Sequence, residues 1–67
     1  MARGTVKWFN DNKGYGFIAA EDKQELFVHF TEIEGRGFRT LHEGEQVEFD
    51  VKSGARGAEA AHVTRIA

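Results

Sequence analysis

The distribution of hydrophobic and polar positions along the chain predicts short β-strands and almost no helix. The clearest strand is Val47–Val51, where apolar and acidic residues alternate strictly, as they do in a strand with one buried face. Other short segments are rich in β-branched and aromatic residues, and glycine-containing or polar stretches separate them. We therefore predict five strands, at Thr5–Phe9, Tyr15–Ala20, Leu26–Phe30, Val47–Val51 and Ala60–Ile66.

The segments between these strands predict two hairpin connections, one helical turn, one loop and a further turn at Ser53–Gly57. Asn10–Gly14 offers a glycine for a left-handed conformation, and Glu21–Glu25 is entirely polar, so both suit hairpins. A single helical turn is predicted over Thr31–Ile33, because the Thr31 hydroxyl can accept a hydrogen bond from a backbone amide two or three residues on. The glycine-rich, charged segment Gly35–Gly44 predicts a long exposed loop.

Five short strands without a sizeable helix predict an all-β fold, because such a sheet can cover its own apolar face only by closing into a barrel. Closure also removes exposed strand edges. With 67 residues the chain has room for one domain, residues 1–67, and one core. The predicted core is aliphatic and consists of Val6, Ile18, Leu26, Val28, Ile33, Leu41, Val47, Val51 and Val63.

The second and third predicted strands are apolar on both faces. Successive side chains of a strand point to opposite faces, so Ile18 lies opposite to Phe17, and Val28 lies opposite to Phe27. A small barrel buries only one face of its sheet. Aliphatic side chains have no binding role that would explain their placement on the exposed face. We therefore expect the aromatic set on the outer face, namely Tyr15, Phe17, Phe27 and His29.

An exposed aromatic patch on a small protein invites aggregation unless it binds something. Trp8 and the cations Lys7 and Lys13 flank the patch in sequence. Aromatic faces for unstacked bases, with positive charge beside them for phosphates, are typical of single-stranded nucleic-acid binding. Because Val6 and Trp8 share parity, a buried Val6 and an outward Trp8 require a β-bulge near Lys7.

Composition excludes several other functions. The chain contains no cysteine, which excludes disulfides, thiolate metal sites and thiol nucleophiles. The net charge is −2, and the charges are spread along the chain, with four basic and four acidic residues through Phe30 and five against seven after it, which excludes a polybasic tail. The absence of a long apolar run predicts a cytosolic protein. His29, His42 and His62 lack a metal-binding spacing. No nucleophile, base and orienting group can be assembled, so we expect neither an enzyme nor a cofactor.

Several segments, in the same order, resemble the bacterial cold-shock proteins. Lys13–Ile18 resembles the first ribonucleoprotein-type motif of the cold-shock domain, and Leu26–Phe30 resembles the second. Gly4–Asn10, Gly37–Leu41 with Glu43–Gly44 after it, and Ala60–Thr64 also match, so the resemblance covers essentially the whole chain. It implies a five-stranded antiparallel OB-fold barrel that binds single-stranded RNA and DNA on the face of its first three strands. It also implies an ATP-independent RNA chaperone that regulates transcription or translation in cold adaptation.

The resemblance further implies binding residues by matching position. The stacking residues would be Trp8, Tyr15, Phe17, Phe27, His29, Phe30 and Phe38. Lys7, Lys13 and Arg56 would contact the nucleic-acid backbone or the base edges. The chain departs from the family at Tyr15, where phenylalanine is usual, and at Ala58, where proline is frequent and would tighten the last loop.

Other interpretations of these residues remain open. The aromatic cluster could form a second packing layer, a dimer interface or a surface that grips a partner protein. A single histidine such as His29 is more often structural than functional, and Phe38 could simply cover the mouth of the barrel. We expect a monomer, with a strand-exchanged dimer as the alternative.

Overall fold

Five strands form a closed barrel in the computed structural model, which describes residues 1–35 and 40–66. A single 3-10 turn, Phe30–Glu32, follows the third strand, and within the described residues no helix is long and apolar enough to cross a membrane. The predicted all-β barrel is confirmed. The strands are β1 at Ala2–Asn10, β2 at Tyr15–Ala20, β3 at Glu25–His29, β4 at Gln46–Gly54 and β5 at Gly57–Arg65.

Around the barrel the strands follow the order β1-β2-β3-β5-β4, and β4 closes against β1. The pairs β1–β2, β2–β3, β4–β5 and β1–β4 are antiparallel, as predicted. The pair β3–β5 is parallel and joins Phe27 to Glu59. The direction of neighbouring strands cannot alternate all the way round a ring with an odd number of members, so a closed five-stranded barrel must contain a parallel pair.

The predicted bulge near Lys7 is confirmed. The register between β1 and β2 shifts between Val6, which pairs with Ile18, and Trp8, which pairs with Phe17. Lys7 is therefore the extra residue on β1, which allows Val6 to be buried while Trp8 is exposed.

The core is the predicted aliphatic one, with two corrections on β4. Val51 was predicted to be buried but is 53% exposed, whereas Phe49 is fully buried and is the largest such side chain. The register between β4 and β5 shifts between Glu48 and Asp50, but the extra residue lies on β5, so Val51 keeps the parity of Val47 and Phe49. Phe49 is the last residue of β4 that pairs with β1, and Val51 lies beyond the end of that pairing. The other predicted core residues are buried, namely Val6, Ile18, Leu26, Val28, Ile33, Leu41, Val47 and Val63.

The helical turn begins earlier than predicted and has a different cap. His29, at the end of β3, is extended and its Nδ1 accepts a hydrogen bond from the Thr31 backbone amide at 3.4 Å. Thr31 therefore lies inside the turn, with its hydroxyl oxygen 3.0 Å from the same ring nitrogen. The prediction failed because the helical turn already starts at Phe30, which moves the cap position to the preceding residue.

The predicted loop Gly35–Gly44 lies partly outside the described residues. Where the structure resumes, the Thr40 hydroxyl donates to the Asp11 carboxylate, and the Arg65 guanidinium donates to the Thr40 carbonyl oxygen. These bonds connect the end of the loop to the β1–β2 connection and to β5. Leu41, as predicted, reaches the core.

Candidate nucleic-acid interface

The outer face of β1, β2 and β3 carries the aromatic residues in rows that the strand register sets. Phe17 on β2 pairs with Trp8 on β1 and with Phe27 on β3. Tyr15 is flanked in the same way by Asn10 and His29. Because paired residues point to the same side of a sheet, one row places three aromatic rings side by side.

Four of these rings form a continuous surface, which we call the aromatic platform and define as Trp8, Tyr15, Phe17 and Phe27. The Trp8 centroid lies 5.8 Å from that of Tyr15 and 5.5 Å from that of Phe17. The Phe27 centroid lies 5.7 Å from Tyr15 and 5.9 Å from Phe17. All four distances are in the range of attractive aromatic pairs, so each ring holds its neighbours in place.

Exposure differs across the aromatic platform. Trp8 is 42% exposed, and Tyr15 and Phe17 are half-buried. Phe27 lies on the predicted outer face, yet it is only 7% exposed. Tyr15 and Phe17 pack against its ring, and the guanidinium carbon of Arg56 lies over it, 4.8 Å from the centroid. The expectation that Phe27 is openly exposed is therefore wrong for the structure as it stands.

His29 and Phe30 form a second aromatic pair at the end of β3. Their ring centroids are 4.7 Å apart, and Phe30 is 41% exposed. The His29 ring also caps the 3-10 turn, which makes Nδ1 an acceptor and leaves the proton of the neutral ring on Nε2. The structural interpretation of His29 thus holds alongside its place at the interface.

Glycine at position 14 makes room for the Phe30 ring. Gly14 has a φ of +77°, and a Cβ atom there would lie 2.8 Å from Phe30 Cδ1. The Phe30 amide donates to the Gly14 carbonyl oxygen at 2.8 Å. This glycine therefore brings the β1–β2 connection against the end of β3, where a residue with a side chain would push the ring away.

The three predicted cations occupy different environments. Lys7 Nζ lies 2.6 Å from Glu25 Oε2. Lys13 is exposed on the β1–β2 connection, where its backbone amide donates to Asn10 Oδ1 at 3.0 Å. Neither Lys13 nor Arg56 forms an ion pair within the described residues. The aromatic platform is thus bordered by one paired cation and two that are available to an anion.

Glu25 is the residue near the site that the sequence reasoning missed. The sequence pattern places it in the Glu21–Glu25 connection, but it begins β3 and pairs with Ala19, which in turn pairs with Thr5. The Lys7 ammonium group donates a hydrogen bond to the Glu25 carboxylate. Glu25 shares parity with Phe27, so the alternation along β3 was the signal that could have placed it on the outer face.

Nine of the ten predicted binding residues lie in the described part of the chain, and Phe38 lies outside it. Those nine all lie on β1, β2 and β3, on the connections next to them or on the β4–β5 turn. A surface of planar rings bordered by cations suits a ligand with flat π-systems and negative charge.

The chain matches the family model described as the 'Cold-shock' DNA-binding domain over residues 2–66. It is 54% identical to the major cold shock protein of Streptococcus pyogenes serotype M1 over 67 residues, which is 100% of both chains. It is also 54% identical to cold shock protein CspB of Bacillus caldolyticus over 66 residues, covering 98% of this chain and 100% of that protein. The solved structure "drosophila Unr CSD456" superimposes with a TM-score of 0.80 at 27% identity, covering 98% of this chain and 26% of that one.

Proposed function

Because the chain belongs to the 'Cold-shock' DNA-binding domain family, we propose that it binds single-stranded RNA and DNA on the outer face of β1, β2 and β3. The observation that carries this proposal is the aromatic platform, whose four rings lie within 5.9 Å of a neighbour and have Lys7, Lys13 and Arg56 at their border. Bases stack on the rings, and the cations meet phosphates or base edges.

Stacking supplies most of the affinity. A base stacked on an aromatic side chain contributes about 1 to 3 kcal/mol, and every base has a π-face, so recognition tolerates many sequences. In a duplex these faces are hidden against neighbouring bases, and the protein therefore prefers single strands. A site of roughly 4 to 10 nucleotides fits one face of a barrel of this type.

The same preference makes the protein a passive RNA chaperone. A surface that accepts unstacked bases binds the open form of an RNA hairpin and not the closed form, and it shifts the equilibrium by its differential affinity for the two. No nucleotide hydrolysis and no catalysis are needed. Control of transcription or translation in the cold would follow where the opened strand is a regulatory one. We propose that the protein acts as a cytoplasmic monomer.

Trp8 provides a direct test, since its indole belongs to the aromatic platform. We expect a short pyrimidine strand to quench its fluorescence strongly and a matched duplex to do so only weakly. Phe17→Ala should weaken the single-strand titration. Val51→Ala should not, because Val51 is exposed on β4, away from the aromatic platform. A response to a protein partner alone, with none to either nucleic acid, would favour a protein-interaction module instead.

A further inference from the structure

The ring of Phe27 is enclosed although it lies on the binding face. Tyr15 and Phe17 pack against it from β2, with centroids 5.7 Å and 5.9 Å away. The guanidinium of Arg56 lies over the ring, 4.8 Å from its centroid. With these three neighbours in place, 7% of Phe27 is exposed. A base cannot stack on Phe27 while Arg56 is in this position.

Arg56 reaches this position from the turn between β4 and β5. Gly54 pairs with Gly57, so Ala55 and Arg56 form a two-residue turn that is exposed throughout. β5 lies next to β3 at the Phe27–Glu59 pair, which brings the turn over the aromatic platform.

Little besides the ring holds the Arg56 side chain. It forms no ion pair and donates no side-chain hydrogen bond to the residues that the structure describes. Arg56 itself is exposed to solvent, and a cation that stays hydrated is held only weakly over an aromatic ring. The turn that carries it has a glycine on each side, at Gly54 and Gly57, so the contact can be broken without disturbing the barrel.

We propose that Arg56 is a displaceable cover of the Phe27 stacking position. In the free protein its guanidinium occupies the face of the Phe27 ring. On binding, a base takes its place, and the released guanidinium turns to a phosphate of the same strand. The proposal rests on the proposed function and adds an exchange step to it at one position of the aromatic platform.

The exchange makes the position selective for ligands that offer both a base and a phosphate. A base alone must displace the cation without compensation, whereas a strand with phosphates gives the guanidinium a stronger partner than the ring. The cover also shields an apolar ring that would otherwise add to the exposed patch.

A strand with an uncharged backbone separates the two roles of Arg56. With a pyrimidine methylphosphonate strand there is no phosphate charge to meet, so Arg56→Ala removes only the cover. We expect this variant to bind the uncharged strand about two- to fivefold more tightly than the parent protein, the equivalent of a weak cation–π contact. Lys23→Ala, which removes an exposed cation from the β2–β3 connection, should bind it as the parent does.

The corresponding phosphodiester strand should give a different result. There Arg56→Ala also loses a phosphate contact, and the slope of log affinity against log salt should become about 0.7 shallower. If Arg56→Ala binds the uncharged strand as well as the parent or more weakly, the cover is refuted, and Arg56 is a fixed part of the stacking surface.

Proton NMR observes the cover directly. Ring current from Phe27 should shift the Arg56 δ-methylene protons upfield in the free protein, and Phe27→Leu should abolish the shift. A saturating phosphodiester strand should abolish it too. An upfield shift that persists at saturation would refute the exchange.

If no strand quenches Trp8 in the parent protein, the proposed function fails, and the role of Arg56 in binding fails with it. Quenching with a persistent shift refutes the cover alone.

Discussion

Phe17 and Phe27 lie directly opposite each other on β2 and β3, with ring centroids 5.9 Å apart and ring planes at 78°. Phe17 is half-buried, whereas Phe27 is 7% exposed. Truncating either to alanine should weaken single-strand binding by about 1 to 3 kcal/mol, the value of one stacked base. Phe27→Ala should also lower the free energy of unfolding more than Phe17→Ala does. The loss should approach roughly 3 kcal/mol, the lower end of the range for truncating a buried phenylalanine. Quenching of Trp8 fluorescence by a single strand measures the change in binding, and urea unfolding measures the change in stability.

Val28 provides the matched control for this pair. It follows Phe27 on β3 but points into the core and is fully buried. Val28→Ala should lower the free energy of unfolding by about 1.6 kcal/mol for the two carbons removed, with an added cost for the cavity. Binding by the folded fraction should be unchanged. Normal binding by Phe17→Ala would mean that the platform has been assigned to the wrong face.

Phe49 and Val51 give a prediction about stability alone. Phe49 is fully buried and Val51 is 53% exposed, although they are two residues apart on β4. Phe49→Ala should cost about 3 to 5 kcal/mol, a large part of the stability of a small domain. Val51→Ala should change it by at most about 0.5 kcal/mol. Thermal or urea unfolding measures both losses of stability, and a large loss for Val51→Ala would show that Val51 is packed in the core after all.

The same two residues show what the sequence could predict and where it stopped. The alternation of Val47–Val51 correctly indicates a strand, but an alternating pattern does not show where the neighbouring strand ends, and β1 pairs with β4 only as far as Phe49. Val51 has the parity of the core residues and is nevertheless exposed. The bulge at Lys7 was predictable because it resolved a conflict between Val6 and Trp8. On β4 no conflict between residues signals that the pairing with β1 ends before Val51.

Contacts between distant segments account for the other differences. Whether Phe27 is covered depends on Arg56, which lies on a turn 29 residues further along the chain, and the pattern of β3 contains no information about that turn. The parallel β3–β5 pair, in contrast, follows from the number of strands in a closed ring and could have been predicted from five strands alone.

The salt dependence of binding should be shallow. Each phosphate neutralised on a single strand contributes about −0.7 to the slope of log affinity against log salt, so two or three contacts give roughly −1.4 to −2.1. Lys13→Ala should make the slope shallower by about 0.7. Lys7 must first separate from Glu25, 2.6 Å away, and we expect Lys7→Ala to change the slope no more than Lys13→Ala does. A much steeper slope in the parent would indicate a further basic surface.

Acid should weaken one ion pair in a predictable direction. The hydrogen bond from Lys52, 3.0 Å from Glu32 Oε2, lowers the pKa of Glu32 below its ordinary value of 4.5, against the opposing effect of burial. A carboxylate whose pKa is lowered by folding stabilises the protein above its unfolded pKa, and this stabilisation is lost as the pH falls through the folded value. It should therefore be complete at neutral pH and decline below 4.5.

Glu32→Gln tests this pair. Because the pair is near the surface, the variant should be less stable than the parent at about pH 7 by no more than about 1 kcal/mol, and the difference should shrink at about pH 3. Glu43→Gln is the control, since Glu43 has no ion pair among the described residues. A difference between Glu32→Gln and the parent that is constant from neutral to acid pH would contradict the assignment.

RNA unfolding by this protein should be passive and reversible. In the proposed mechanism the aromatic platform favours the open strand only by differential affinity, so opening of a quenched hairpin reporter should rise with protein concentration, saturate, and need no ATP. Adding an excess of competitor strand should close the hairpin again.

No residue of the aromatic platform is identified as a reader of the 2′-hydroxyl, so RNA and DNA strands of equal sequence should bind within about tenfold, or ~1.4 kcal/mol. Phe17→Ala should open the hairpin less at equal concentration, and Val51→Ala should match the parent. Opening that persists after competition, that depends on ATP, or that shortens the RNA would show an enzymatic activity that passive binding cannot produce.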